Sequence, residues 1–220
     1  MIKLPDFSRA YEYENEFYLS CDKQRIGKLI AHYELFKMSR NVAGEIVECG
    51  VFKGASLVRF AMFRKLFESA FEKKIIGFDS FAEFPQTNFE EDKKLRDHIV
   101  KEAGEQSIST EQLMEVLKNK GCENSVELIA GDITVTIPEY IKNNPEIRIS
   151  LLNLDTDIYE PSVTILENFY PKLEKGGILI LDDYNVFPGE TKAVDDYFKE
   201  MDIEIKSFPF SNTPCYLIKK

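Results

Sequence analysis

The chain has little of what marks zinc-binding, disulfide-rich, secreted or membrane proteins. Its 220 residues include two histidines and four widely separated cysteines, with no C-x-x-C pair. This distribution argues against a zinc site and against a disulfide framework. No apolar run approaches the length that crosses a bilayer, and the amino-terminal residues lack the apolar segment of a secretory signal. We therefore predict a cytoplasmic protein with reduced thiols.

Positively charged residues are also fewer than negatively charged ones. Lysine and arginine number 28 against 38 aspartates and glutamates, which gives a formal net charge of -10. Nucleic acids and anionic membranes select basic surfaces, so neither is expected as a main partner. Hydrophobic residues make up 44% of the chain, and its length suits one domain over residues 1–220. Residues 1–40 are predicted to form an amino-terminal arm followed by a helix.

The centre of the chain has the pattern of a β-α-β crossover. A strand, a helix and a second strand are predicted at Ile149–Leu154, Ser162–Leu173 and Ile178–Leu181. Such a crossover places two parallel strands in one sheet with their carboxyl ends at the same edge. Because open α/β sheets bind ligands at that edge, the residues that follow the two strands are candidates for a binding site.

Three aspartates follow these two strands. Asp155 ends the first strand, and Asp182 and Asp183 end the second. Three ionised carboxylates at one edge repel one another, so one must take up a proton unless a cation lies between them. Oxygen ligands without nearby histidine or cysteine suit a hard divalent ion, Mg²⁺ first. A metal site is predicted here, with helix caps or solvated loop residues as the alternative.

A glycine turn follows the first predicted strand, Glu45–Glu48. Gly50 and Gly54 allow a tight turn, and the helix predicted at Leu57–Phe71 then offers free N–H groups to an anion. The spacing is not G-x-G-x-x-G, and Glu48 stands just before the first glycine. These features disfavour a pyrophosphate and favour a ligand with one carboxylate and one ammonium group.

Two further strand ends carry an acid. The strands are predicted at Lys74–Phe78 and Val126–Ala130. Asp79, after the first of them, can accept both hydroxyls of a ribose or can cap the turn at Ser80-Phe81. Asp132, after the second, can hydrogen-bond an adenine amino group or cap a turn. The residues alone leave both choices open.

The remaining segments are predicted from periodicity and composition. A helix from Asp22 has its apolar residues at spacings of three and four, namely Ile26, Leu29, Ile30, Tyr33 and Phe36. Residues 86–111 carry mixed charge and are interpreted as an insertion, either a lid over the substrate or a solvated helix. The aromatic-rich residues 1–20 are either a lid or a packed terminal extension. Helices are predicted to begin at Ser109 and Glu139, and a late hairpin pairs Ile203–Phe208 with Cys215–Ile218.

Five motifs combine these features. They are Glu48-Cys49-Gly50-Val51-Phe52-Lys53-Gly54, Gly77-Phe78-Asp79-Ser80-Phe81, Leu154-Asp155-Thr156-Asp157-Ile158-Tyr159, Leu181-Asp182-Asp183-Tyr184 and Pro188-Gly189-Glu190-Thr191-Lys192-Ala193-Val194-Asp195. Together they resemble the macrocin O-methyltransferase family of class I S-adenosylmethionine-dependent enzymes, many of which methylate sugar hydroxyls. The resemblance runs from about Ala43 to Phe198. It implies an α/β, Rossmann-like class I methyltransferase sheet of seven mostly parallel strands with a C-terminal antiparallel hairpin.

The resemblance also implies a binding mode for S-adenosylmethionine. The cofactor would lie across the first two strand ends, with Glu48, Gly50 and Ser56 near its methionine part and Asp79 on its ribose. The full set of expected contacts is Glu48, Gly50, Val51, Gly54, Ser56, Asp79, Ser80, Phe81, Asp132, Ile133 and Asp155.

A metal and a general base are implied as well. By the resemblance, Asp155, Asp182 and Asp183 would bind Mg²⁺, and Asp157 would be the general base. Asp155 and Asp157 together are the predicted catalytic residues. In an extended segment Asp157 lies on the same side as Asp155, which would bring it close to the reacting hydroxyl.

The function predicted from these features is Mg²⁺-dependent methylation of a sugar hydroxyl, on a deoxysugar, a nucleotide sugar or a glycoside. A catechol or another small-molecule vicinal diol is an alternative acceptor. A nicotinamide-dependent oxidoreductase on a similar fold is a rival that the missing G-x-G-x-x-G disfavours, and a non-catalytic module that has kept the pocket is another. A small sugar-containing acceptor is the expected partner, and a homodimer is one option for the assembly.

Overall fold

A mixed sheet forms the centre of the protein in a computed structural model that describes residues 2–67 and 73–220. Its strands in the described part of the chain are β1 Glu45–Cys49, β2 Ile75–Asp79, β3 Val126–Ala130, β4 Ile149–Leu154, β5 Leu173–Leu181, β6 Lys206–Phe208 and β7 Ser211–Ile218. They lie in the order β3-β2-β1-β4-β5-β7-β6. The first five strands pair in parallel, and β7 is antiparallel to both neighbours. This confirms the predicted sheet of six parallel strands and one antiparallel strand.

Helices cover both faces of the sheet. They are α1 Ala10–Ser20, α2 Lys23–Ser39, α3 Ala55–Phe67, α4 Glu90–Ala103, α5 Thr110–Asn119, α6 Ile133–Asn143, α7 Tyr159–Phe169 and α8 Pro188–Phe198. Side chains of α2, α3 and α5 pack on one face, and those of α6, α7 and α8 on the other. Strand β4 is therefore buried along its whole length, and a strand buried on both faces reads as a continuous apolar run.

Several element boundaries differ from their predictions. Helix α6 begins at Ile133 with Asp132 as its N-cap, so Pro138 lies inside the helix instead of at its start. Helix α7 ends at Phe169, and β5 already begins at Leu173, because Leu173 pairs with Ile149 of β4 before the register shifts and pairing resumes at Ile178. The late hairpin is also rearranged, with β6 shortened to Lys206–Phe208 and β7 extended back to Ser211.

Three other predicted segments have mixed outcomes. Helix α3 is described to Phe67, and its predicted end at Phe71 lies outside the described residues. Helix α5 begins as predicted, with a capping box between Ser109 and Gln112. Residues of α1 form a helix that was not predicted, and every residue of it is at least partly exposed. Ile2 and Leu4, which precede it, pack against the core. No helix within the described ranges is both long and apolar enough to cross a membrane.

Candidate active site

A cavity of about 430 Å³ lies at the carboxyl ends of β1 to β4. Its volume is in the range of small-molecule sites. Of the predicted cofactor contacts it is lined by Gly50, Asp79, Ser80, Asp132, Ile133 and Asp155, and the predicted base Asp157 lines it too. The other predicted contacts are not among its described lining residues, namely Glu48, Val51, Gly54, Ser56 and Phe81. The cavity therefore extends from the residues expected to bind the cofactor to Asp155 and Asp157, which form its acidic end.

Asp79 holds two turns of the cavity wall. Its Oδ2 accepts hydrogen bonds from the N–H groups of Val51 and Phe52 at 2.8 and 2.9 Å, and its Oδ1 accepts one from Phe81 N–H at 2.7 Å. The side chain thus caps its own turn and also fixes the glycine turn after β1. Ser80 Oγ also lies 3.3 Å from Oδ1, but its single proton can go instead to the carbonyl oxygen of Glu83 at 3.0 Å. One of the carboxylate's roughly four acceptor positions is then left for a ribose hydroxyl.

Gly50 brings the ends of β1 and β4 into contact. Its φ is +90°, a region that favours glycine. A Cβ at this position would lie 1.7 Å from the carbonyl oxygen of Asp155. The neighbouring strand therefore requires glycine here, in addition to any need of a ligand. Because of this contact, the backbone of Asp155 is held directly beside the glycine turn.

Glu48 is completely buried on the α2 and α3 side of the sheet. Its Oε1 accepts a hydrogen bond from Ser56 Oγ at 2.8 Å, while among the described residues no group hydrogen-bonds to its Oε2. Burial raises the pKa of Glu48 to about 8, although the Ser56 hydrogen bond acts in the opposite direction. The hydrogen bond between Glu48 and Ser56 thus joins β1 to α3, the two elements on either side of the glycine turn.

Asp132 is the N-cap of α6 and also faces the cavity. Its Oδ1 accepts hydrogen bonds from Thr134 N–H at 2.9 Å and from Thr134 Oγ at 2.7 Å. The structure thus shows the capping role that was one of the two predicted alternatives. The next residue, Ile133, presents an apolar side chain to the same part of the cavity.

Three carboxylates come together at the acidic end. Oxygen atoms of Asp155, Asp157 and Asp183 all lie within 4.8 Å of one another. Burial and then the charge of Asp155 raise the pKa of Asp157 to about 8. Burial and neighbouring carboxylates also raise the pKa values of Asp155 and Asp183 well above the usual range. The group is therefore short of positive charge, the condition in which a cation binds.

The carboxylate of Asp182 faces α2, but its charge still acts on Asp155 and Asp183 of this triad. Its Oδ2 pairs with Lys28 Nζ, and its Oδ1 lies 3.4 Å from His32 Nε2. Burial favours neutral Asp182, but the Lys28 charge and the His32 hydrogen bond outweigh it and hold the pKa below its usual value. Consecutive residues at a strand end point to opposite faces, so Asp182 and Asp183 separate. Of the predicted metal ligands, the structure thus groups Asp155 and Asp183 with Asp157 instead of Asp182.

Comparison with known proteins shows the family of the chain. The sequence model of the macrocin-O-methyltransferase (TylF) family matches residues 18–216. The chain belongs to this family. The match covers both the glycine turn and all four aspartates of the acidic region, which favours a methyltransferase over the nicotinamide-dependent rival.

Two relatives of this macrocin-O-methyltransferase family member are O-methyltransferases by name. The chain is 27% identical over 170 residues to demethyldecarbamoylnovobiocin O-methyltransferase of Streptomyces niveus, covering 76% of this chain and 62% of that protein. It is 29% identical over 165 residues to 8-demethyl-8-(2,3-dimethoxy-alpha-L-rhamnosyl)-tetracenomycin-C 4'-O-methyltransferase of Streptomyces olivaceus, covering 73% and 60%. The chain thus spans about three fifths of the length of both proteins.

A solved structure extends the likeness over nearly the whole chain. The calicheamicin methyltransferase CalS11 has a TM-score of 0.79 and 28% sequence identity, covering 95% of this chain and 85% of that one. Its apo structure, described as a TDP-rhamnose 3'-O-methyltransferase, has a TM-score of 0.69 and 27% identity, covering 94% and 85%. The family fold of class I methyltransferases is therefore shown for this chain.

Glu190 is a buried acid of this family member that stands in the fifth motif but was given no role in the predicted site. Its Oε1 accepts a hydrogen bond from the N–H of Asp183 at 2.9 Å, while Oε2 is buried without a partner among the described residues. Burial and then the charge of Asp183 raise its pKa well above the usual range. Glu190 lies in the first turn of α8, where an acid reads as an ordinary helix-start residue. Its position behind Asp183 appears only in the fold.

Asp92 was missed because it lies within the charge run of the insertion. Its two carboxylate oxygens accept hydrogen bonds from the N–H groups of Gly189 at 2.7 Å and Tyr159 at 3.1 Å. It thereby joins α4 to the first turns of both α7 and α8, where negative charge is favourable. The insertion is thus anchored to α7 and α8, and its residues Gln86, Asn88 and Ser107 line the cavity.

The acidic residues of this macrocin-O-methyltransferase family member fit a divalent cation. The donors are all carboxylate oxygens, which suit Mg²⁺, and three of them are already within 4.8 Å of one another. Their raised pKa values show that the group is unfavourable when fully ionised and without a cation. Asp182 directly precedes Asp183 in the chain, and its charge raises the pKa of Asp155.

Proposed function

We propose that the protein transfers a methyl group from S-adenosylmethionine to a hydroxyl of a sugar, with Mg²⁺ at the acidic residues. The observation that carries the proposal is the continuous cavity, which runs from Asp79 and Asp132 to Asp155 and Asp157. The names of the relatives support the substrate class, since one includes a rhamnosyl group and CalS11 is described as acting on TDP-rhamnose. A sugar carried by a nucleotide or by a natural product is therefore the proposed acceptor.

The cofactor would bind along the strand ends. Its ribose would lie at Asp79, and its adenine near Ile133, which offers an apolar surface next to the start of α6. Its methionine part would then lie towards the glycine turn at Gly50 and the end of β4. Glu48 and Ser56, which we predicted as direct contacts, would act by holding that turn.

The acceptor would be held at the acidic end. Asp155, Asp182 and Asp183 would hold Mg²⁺, which when bound lowers the pKa of a hydroxyl attached to it. Asp157 lies in the same group of carboxylates and would receive the hydroxyl proton. Burial and the charge of Asp155 raise the pKa of Asp157. Mg²⁺ at the neighbouring carboxylates would lower that pKa again, so Asp157 would be ionised and able to receive a proton. The protein's remaining contribution to the rate is to align the acceptor hydroxyl with the methyl group, because the methyl donor is already activated.

The experiment is a methyl-transfer assay on the full chain. S-adenosylmethionine labelled in its methyl group is incubated with nucleotide-linked deoxysugars, glycosides and a catechol, with Mg²⁺ or with excess chelator. We expect label on a sugar in the presence of Mg²⁺ and background label in chelator. Asp183→Asn is the loss-of-metal variant, and Asp195→Asn, an acid on the nearby helix α8, is its matched control.

The outcomes separate the parts of the proposal. Labelling of the catechol but of no sugar would contradict the substrate class. Full activity in chelator would contradict the metal while leaving methyl transfer intact. Binding of S-adenosylhomocysteine without transfer to any diol would favour the non-catalytic module.

A further inference from the structure

A lysine from outside the predicted motifs reaches into the acidic residues. Lys28 lies in the second turn of α2, and its Nζ pairs with Asp182 Oδ2. The carboxylates of Asp155 and Asp183 also attract this ammonium group. The three acids that act on Lys28 are therefore the same three that the sequence predicts as metal ligands.

We propose that Lys28 is a tethered cation that competes with the divalent metal for Asp155, Asp182 and Asp183. The metal would bind only when the ammonium group leaves Asp182. This inference rests on the metal role in the proposed function. It adds that metal affinity in this chain is set partly by a residue of α2 that is not a ligand.

The two partners of Asp182 differ in how freely they can leave it. Lys28 is a flexible side chain that stays 24% exposed, so its ammonium group has a path to solvent. His32 is fully buried and stacks on Phe60 with 5.1 Å between ring centroids. His32 is thus fixed by packing, while the contacts of Lys28 with the described residues are its ion pair and hydrogen bond to Asp182 and the attraction of nearby carboxylates.

The hydrogen bonds of His32 fix the orientation of the Asp182 carboxylate. Arg59 can only donate, so its contact of 2.9 Å with His32 Nδ1 leaves the ring proton on Nε2, which faces Asp182 Oδ1. Lys28 occupies the other oxygen, Oδ2. When Lys28 leaves, Asp182 therefore keeps one hydrogen bond and its orientation, and Oδ2 becomes available.

The exchange has a defined energetic direction. A divalent ion brings twice the charge of an ammonium group to a site that is short of positive charge, so it can replace Lys28. The pairing of Lys28 with Asp182 must be broken first. The apparent metal affinity is therefore the intrinsic affinity multiplied by the fraction of molecules in which Lys28 has left Asp182. Removal of the ammonium group should consequently tighten metal binding.

The test measures Mn²⁺ binding to the full chain without S-adenosylmethionine, using the electron paramagnetic resonance signal of free Mn²⁺. We expect Lys28→Met to bind Mn²⁺ about tenfold more tightly than the wild type. Lys23→Met, an exposed lysine on the same helix, changes the net charge equally and is expected to leave the affinity unchanged. Lys28→Arg, which keeps the charge, should bind no more tightly than the wild type.

A second measurement uses the wild-type chain and does not depend on how well a variant folds. The acetylation rates of Lys28 and Lys23 are compared by mass spectrometry with and without Mg²⁺. Mg²⁺ should increase the acetylation of Lys28 about fivefold or more as its ammonium group moves to solvent, and should leave that of Lys23 unchanged.

Three results would overturn the inference. The first is equal or weaker Mn²⁺ binding by folded Lys28→Met, and the second is unchanged Lys28 acetylation in protein that has bound Mg²⁺. The third is the absence of Mn²⁺ binding by both the wild type and Lys28→Met. In that last case methyl transfer measured in chelator would still decide the proposed function separately.

Discussion

Glu48→Gln should make the protein more stable at alkaline pH, although it replaces a buried residue of the family motif. The carboxyl is completely buried, and its pKa is raised by that burial to about 8. The unfolded chain releases this proton near pH 4.5. Between these two values the folded protein binds the extra proton, so its stability falls as the pH rises. Above pH 8 both states have lost the proton and the effect is constant.

The size of the effect follows from that window. Each pH unit between 4.5 and 8 removes up to about 1.4 kcal/mol from the free energy of unfolding, which gives a ceiling of about 5 kcal/mol by pH 8. Glutamine has no such proton to lose and resembles the protonated acid in shape. Its oxygen can still accept from Ser56, and its amide can donate to Asn153 Oδ1, which has no partner among the described residues. The variant should therefore match the wild type near pH 5 and exceed it near pH 8.5.

The assay is urea unfolding followed by circular dichroism at pH 5, 6.5 and 8.5, in chelator and without cofactor. Glu139→Gln, on the exposed surface of α6, is the matched control and should show no such trend. The reasoning would be refuted if Glu48→Gln were less stable than the wild type at pH 8.5. A stability difference that is the same at pH 5 and 8.5 would refute it equally, because the effect would then not arise from ionisation.

Three further predictions test other parts of the site. Asp157→Asn should lower kcat by about a hundredfold or more, as loss of a general base does, with unchanged S-adenosylhomocysteine affinity in calorimetry; retained turnover would exclude Asp157 as the base. Asp79→Asn should weaken S-adenosylhomocysteine binding about tenfold, because one acceptor oxygen becomes an NH₂ group that cannot accept from the N–H groups of its turn, and unchanged affinity would contradict this role. Gly189→Ala should destabilise the protein by about 1 to 3 kcal/mol in urea unfolding, because its Cβ would lie 1.9 Å from Asp92 Oδ2; an unchanged midpoint would show that α4 moves away freely.

The sheet could be predicted from the sequence because its signals are local. Strand β4 is an apolar run between polar segments, and it is buried on both faces as that pattern indicates. Cap residues predicted α5 as well, through Ser109 and Gln112. The start of α6 was placed wrongly, since Pro138 was taken as a helix start although Asp132 already caps the helix. Proline is common at a first helical position, and this preference outweighed the cap signal.

The buried face of α2 could not be predicted from hydrophobicity. The expected face included Ile30, which is 40% exposed, whereas Gly27, Ala31 and His32 are buried. A Cβ at Gly27 would lie 2.8 Å from the carbonyl oxygen of Phe210, so small residues are needed where α2 crosses the β6–β7 turn. Contact with another element therefore decided the orientation of α2, and with it the approach of Lys28 to Asp182.

The separation of Asp182 from Asp183 has the same origin and links the fold to the chemistry. From sequence, two adjacent aspartates after a strand look like one acidic pair. In the sheet they face opposite layers, and α2 provides a cation to one of them while Glu190 of α8 accepts a hydrogen bond from the backbone of the other. The strand end thus connects a layer that supplies positive charge with a layer of buried acids. Any cation bound by both aspartates must draw one carboxylate from each environment, so its affinity depends on helices on both sides of the sheet.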